Sequence, residues 1–122
     1  MKRVLIVDDS PTVRTQIARL LGEAGFETTE AADGVDGIEK LQTHADVRLA
    51  ILDVNMPRMS GLDMLERVKQ DGRYAEVAII MLTSEGQKST IERAKRAGAK
   101  GWIVKPFNPT MLLAAVQKLT SD

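Results

Sequence analysis

The 122-residue chain has the size of one domain, large enough to bury roughly two-thirds of its unfolded surface in a single core and too short for a second domain. Seventeen basic and seventeen acidic residues cancel, which argues against nucleic acid or an anionic membrane as a partner held by bulk charge. The absence of Cys excludes disulfides, thiolate catalysis and zinc–thiolate sites, and the one His, His44, cannot build a histidine metal cluster.

Met1-Lys2-Arg3 is followed only by the short apolar run Val4 to Val7, too brief for a signal peptide, and no stretch approaches a membrane span. The expected setting is therefore soluble and cytoplasmic. Val4 to Val7 reads as a central first strand that stops at Asp8-Asp9. Ser10-Pro11 then supplies an N-cap and a first-turn proline, and Val13, Ile17, Leu20 and Leu21 form the stripe of an amphipathic helix ended by Gly25. Phe26 to Ala31 carries Glu27, Thr28, Thr29 and Glu30 and looks like an exposed edge strand. Asp33-Gly34 opens a modest second helix with Ile38 and Leu41 inward.

Leu49 to Leu52 is a third strand, buried on both faces, ending at Asp53 and the turn Met56-Pro57. Ser60 caps a third helix with Leu62, Leu65 and Val68 inward, and Val77 to Leu82 is a fourth strand ending at Thr83. Gln87 to Ala97 is helical but carries little apolar surface, so it should be held loosely. Gly101 to Val104 is a short fifth strand ending at Lys105-Pro106, and Asn108-Pro109 starts a last helix striped by Leu112, Leu113, Val116 and Leu119. Five strands alternating with five helices predict an α/β fold: a parallel sheet with right-handed crossovers and helices on both faces.

Four of these five strands end in Asp8-Asp9, Asp53, Thr83 and Lys105, and in a parallel sheet the carboxyl ends share one edge. Three converging carboxylates repel unless a proton or a cation intervenes, and an all-oxygen cluster that is not fully caged suits Mg²⁺. Lys105 and Thr83 are then placed to bind phosphoryl oxygens, and Asp53 to attack phosphorus. Each group alone has an ordinary explanation as a cap or a turn former. Together they suit one chemistry.

Asp8-Asp9, D-V-N-M-P-x-M-x-G from Asp53 to Gly61, Thr83-Ser84-Glu85, and A-G-A-K-G-W-I-V-K-P-F from Ala97 to Phe107 resemble response-regulator receiver domains, above all the stand-alone type that serves chemotaxis. The similarity covers essentially the whole chain, with the motifs in sequence order. It implies a flavodoxin-like sheet of order 2-1-3-4-5 and a single receiver domain over residues 1–122 without an output domain. It also implies roles for particular residues. Asp53 is the phosphoacceptor, Asp9 a direct Mg²⁺ ligand, Asp8 its water-mediated companion and the Asn55 backbone carbonyl a further ligand. Lys105 is the site lysine, with a cis bond to Pro106, and Thr83 is the switch hydroxyl. Trp102 departs from the Tyr or Phe usual at its position and should change its fluorescence when Asp53 is phosphorylated. Asn55 and Glu85 tune access of water and imply a short-lived phosphoryl group.

The implied partners are a histidine kinase as phosphodonor and a protein target bound by the fourth helix, fifth strand and fifth helix of a monomer, with no nucleic acid and no membrane. A phosphorelay intermediate, or an adaptor outside chemotaxis, is the alternative within the family. Outside it, a haloacid-dehalogenase-like phosphatase would need a second Asp where Asn55 stands. A flavodoxin-like FMN carrier would place Asp8-Asp9 against the flavin phosphate.

Overall fold

In the computed structural model, which describes residues 2–84 and 88–121, the apolar runs pair side by side as one parallel sheet. Its strands are β1 (Arg3–Val7), β2 (Glu27–Ala31), β3 (Val47–Asp53), β4 (Ala78–Thr83) and β5 (Gly101–Val104), in the order β2-β1-β3-β4-β5. The crossovers are α1 (Pro11–Glu23), α2 (Gly34–Thr43), α3 (Gly61–Gln70), α4 (Lys88–Ala97) and α5 (Pro109–Thr120). This is the expected flavodoxin-like α/β architecture, with helices on both faces.

Alternation along the strands divides the core in two. Leu5, Val7, Ala50, Leu52, Ile79 and Met81 point to one face and pack under α2, α3 and α4. Val4, Ile6, Leu49, Ile51, Ile80 and Leu82 point to the other and pack under Ile17 and Leu21 of α1 and Leu112 and Val116 of α5. The middle strands β1, β3 and β4 are covered on both sides, which is why they read as unbroken apolar runs. The polar β2 lies at one edge, where the sequence placed it, and short β5 lies at the other.

Helix starts follow the predicted chemistry. Ser10, Asp33, Ser60 and Asn108 each accept a hydrogen bond from the backbone N–H three residues on, and Pro11 and Pro109 stand in the first turns. Each such cap contributes about 1 kcal/mol. Gly25, just past α1, has φ +95°, the left-handed conformation that glycine adopts without steric cost.

The differences are local. β3 begins at Val47 and runs through Asp53, so the carboxylate is the last residue of the strand itself. A single 3₁₀ turn, Gly72–Tyr74, capped by Asp71, joins α3 to β4; its polar sequence carries no periodicity to announce it. Ala94 is the one fully buried residue of α4, in keeping with its thin apolar stripe. From the margin of α4, Arg93 reaches α3: its guanidinium lies 2.5 Å from Glu66 and 3.1 Å from Asp63. Among the described residues no helix is long and apolar enough to cross a membrane.

Candidate functional site

Strand register brings the distant groups together. Val7 of β1 pairs with Leu52 of β3, so the next residues, Asp8 and Asp53, stand side by side at the carboxyl edge of the two central strands. Asp53 pairs with Leu82, which puts Thr83 one step beyond on the neighbouring strand. Thr83 in turn pairs with Val104, and the Lys105 N–H donates to the Thr83 carbonyl at 2.6 Å. All four strand ends singled out in the sequence therefore meet at one place.

Asp8 is fully buried. Its Oδ1 accepts the Ser10 N–H at 2.9 Å, and its carbonyl accepts from Arg14 at 2.6 Å. Lys105 Nζ lies 2.8 Å from Asp8 Oδ2 and 3.4 Å from Asp53 Oδ1. The contact to Oδ2 is an ion pair by distance, yet no donor meets that oxygen with hydrogen-bond geometry. Asp9 is exposed and forms the solvent side of the cluster. One carboxylate oxygen from each of Asp8, Asp9 and Asp53 falls within 4.8 Å of the other two.

Three carboxylates against one ammonium leave an unbalanced negative site. Burial, and then the charge of Asp8, push the Asp53 carboxyl up to about 6, against the opposing pull of Lys105. Burial works against the Lys105 charge too, but the close contact with Asp8 and the charges of Asp53 and Asp8 outweigh it and hold the ammonium above its ordinary value. The buried Oδ2 of Asp8, which has a charge contact to Lys105 but no hydrogen bond, the raised Asp53 and an all-oxygen donor set open on the Asp9 side fit a hard divalent cation.

The loop after β3 is shaped by a close approach. A Cβ on Gly61 would lie 2.0 Å from the Asp53 carbonyl oxygen, and the Gly61 N–H donates to the Val54 carbonyl at 3.0 Å. The glycine of the D-V-N-M-P-x-M-x-G run is therefore needed because α3 starts against the backbone of the acidic residue itself. Asn55 is exposed within this loop. Thr83 is buried at 3 % exposure, while Glu85 lies outside the described residues. The Lys105–Pro106 bond is cis, as the resemblance implied. Trp102 is half-buried against the α2-α3-α4 side of the core, and its indole Nε1 is buried without a hydrogen-bond partner. His44 caps the carboxyl end of α2, before β3 begins, with Nδ1 3.2 Å from the Lys40 carbonyl.

Sequence reasoning missed Arg58. In the loop between β3 and α3 it adopts φ +64° and meets Asp33 with two contacts, Nε to Oδ2 at 2.8 Å and a terminal guanidinium nitrogen to Oδ1 at 3.1 Å. Nothing in the linear order links residues 33 and 58, and the position is the unspecified one between Pro57 and Met59.

Residues 4–117 match the family described as the response regulator receiver domain. Among curated relatives, chemotaxis protein CheY1 of Helicobacter pylori is 45 % identical over 111 residues, 90 % of either chain. A CheY homologue of Campylobacter jejuni is 40 % identical over 111 residues, covering 90 % of this chain and 85 % of the relative. Among solved structures, chemotaxis protein CheY4 of Vibrio cholerae superposes with a TM-score of 0.91 at 39 % identity, covering 98 % of both chains. The CheX–CheY–BeF3–Mg²⁺ complex of Borrelia burgdorferi gives a TM-score of 0.91 at 28 % identity, covering 99 % of this chain and 90 % of that one.

Proposed function

The chain belongs to the response-regulator receiver family, and from that premise we propose that it is a chemotaxis-type phosphorylation switch, charged at Asp53 by a histidine kinase and read by another protein. The observation that carries this reading is the meeting of Asp8, Asp9, Asp53 and Lys105 at one sheet edge. Within that cluster Asp8 is held by the Ser10 amide and by Lys105, and Asp9 faces solvent. Asp53 is the buried carboxylate left for the nucleophile.

Asp8, Asp9 and Asp53, with the Asn55 carbonyl, would hold Mg²⁺, which when bound supplies positive charge against the phosphoryl oxygens. A carboxylate oxygen of Asp53 attacks phosphorus of a phosphohistidine; the P–N bond breaks, and the imidazole leaves with the electron pair and takes a proton from solvent. Lys105 holds a phosphoryl oxygen by charge, and the Thr83 hydroxyl donates to another. Water later hydrolyses the acyl phosphate, returning the carboxylate and inorganic phosphate, at a rate set by Asn55 and Glu85. Trp102, on the strand beside Thr83, carries the change outward.

The target face is α4, β5 and α5 of a monomer acting in the cytoplasm. Val104, 45 % exposed on β5, and Met111, 68 % exposed on α5, offer apolar contacts there. Support for the role comes from relatives described as chemotaxis proteins, and support for metal and partner from the Borrelia neighbour, solved with Mg²⁺ and CheX.

Incubation with acetyl phosphate and Mg²⁺, followed by intact mass measurement, tests the reading. One labile phosphoryl adduct is expected on the wild type, absent from Asp53→Asn and from samples with EDTA. An adduct that persists in Asp53→Asn, or none on the wild type, would overturn it.

A further inference from the structure

The geometry points to Arg58 and Asp33 as a positioning clasp for the metal site: their ion pair holds the β3–α3 loop in the shape that lets the Asn55 carbonyl join the carboxylates around a divalent cation. The inference rests on the reading of Asp8, Asp9 and Asp53 as a Mg²⁺ site, and goes beyond it to residues that touch none of the chemistry.

The loop from Val54 to Ser60 is tied at both ends. At its start the Val54 N–H donates to the Leu82 carbonyl and the Val54 carbonyl accepts from Gly61, each at 3.0 Å. At its far side two consecutive residues sit on the amino end of α2. Arg58 grips Asp33 at 2.8 and 3.1 Å, and the Met59 carbonyl accepts the Gly34 N–H at 3.2 Å. The seat is close-fitting, since a Cβ on Gly34 would lie 2.7 Å from Met59 Cγ. Asn55, Met56 and Pro57 span the interval between these anchors, so the direction of the Asn55 carbonyl follows from where Arg58 is held.

Asp33 is suited to be the fixed half. Its side chain is only 8 % exposed, and Oδ1 also accepts the Asp36 N–H at 2.9 Å as the cap of α2. The hydrogen bonds from Arg58, and then from Asp36, hold its carboxyl below the ordinary range, so it stays charged. Arg58 has adopted a left-handed backbone, uncommon for a side chain of its size, in the conformation that delivers the guanidinium to Asp33. At 60 % exposure Arg58 adds little to the core. Neither residue is among the groups that set the charge balance of Asp53, where Lys105 is the cation. The two-point fork is geometric control of a loop, which a planar guanidinium exerts at two points and an ammonium only at one.

The test uses Mn²⁺ as the probe, its binding followed by loss of the free-ion EPR signal and by competition with Mg²⁺. Arg58→Asn tolerates the left-handed backbone but is too short to reach Asp33, and Asp33→Asn keeps the helix cap while losing the charge. Each is expected to weaken metal binding about tenfold, the low end of what is lost when groups that orient ligands are removed. The double variant should be no weaker than the worse single one, because one interaction is lost, and Arg58→Lys should recover part of the affinity. Thermal midpoints in EDTA should stay close to wild type. Wild-type affinity in both folded single variants, or fully additive losses, would overturn the clasp. A wild type that binds no Mn²⁺ or Mg²⁺ would overturn the metal reading beneath it.

Discussion

At the scale of single residues, two glycines with different surroundings make opposite predictions. Gly61 has no room for a side chain, because its Cβ would stand 2.0 Å from the Asp53 carbonyl oxygen. Gly22, in the last turn of α1, has nothing within 4 Å of the corresponding position. Gly61→Ala should therefore cost on the order of 2–4 kcal/mol in urea denaturation, as overpacking against rigid backbone does, and should displace the acidic residue it touches. Gly22→Ala should stabilise by about 0.5–1 kcal/mol through lower entropy of the unfolded chain. Equal effects at the two positions would show that the close approach at Asp53 is not what holds Gly61 in the motif. The same scale explains what could be read from the linear chain. Asp53, Thr83 and Lys105 announce themselves because each ends an apolar run, whereas Arg58 acts on a partner 25 positions away and leaves no local mark.

Among the five α-helices, α4 is the least committed to the core. It buries Ala94 alone, against five buried residues on α3 and three on α5. Side chains from α3 supply part of what the apolar stripe lacks, through Arg93 to Glu66 and Asp63. Arg93→Ala should leave the thermal midpoint nearly unchanged, since exposed pairs add little to global stability, yet speed amide exchange across Lys88–Ala97 about threefold relative to α5. Hydrogen exchange resolved by mass spectrometry measures both; unchanged exchange in α4 would assign its anchoring to the sheet alone. The thin stripe was legible in the sequence because helical period and burial go together. The salt link was not, because α3 and α4 are neighbours only after a strand has passed between them in the sheet. The 3₁₀ turn at Gly72–Tyr74 and the early start of β3 were hidden for a related reason: polar or mixed segments take their conformation from what they connect.

For the molecule as a whole, a neutral total charge conceals a local imbalance that links the site to global stability. Asp53 ordinarily titrates at 3.8 and is raised to about 6 here, first by burial and then by Asp8. A carboxyl whose pKa is higher folded than unfolded favours the folded state while protonated. That contribution is complete below about pH 4 and is lost as the pH rises through 6. At about 1.4 kcal/mol per pKa unit, ionised Asp53 should cost the metal-free protein about 3 kcal/mol above pH 7 relative to a neutral isostere. Asp33, held low by Arg58, acts in the opposite sense, but it is common to wild type and variant and cancels in their difference. Asp53→Asn should thus match wild type at pH 4 in EDTA and exceed it by about 3 kcal/mol at pH 7.5, with the gap growing between about pH 4 and pH 6 and level above that. Saturating Mg²⁺ should narrow the gap by stabilising only the wild type, because a ligand that binds the folded state shifts unfolding by mass action. Denaturation curves at several pH values, with and without Mg²⁺, measure every arm of this. A gap that does not vary with pH would mean that Asp53 is not strained by its neighbours, and a gap that varies with pH but ignores Mg²⁺ would separate the strain from metal binding.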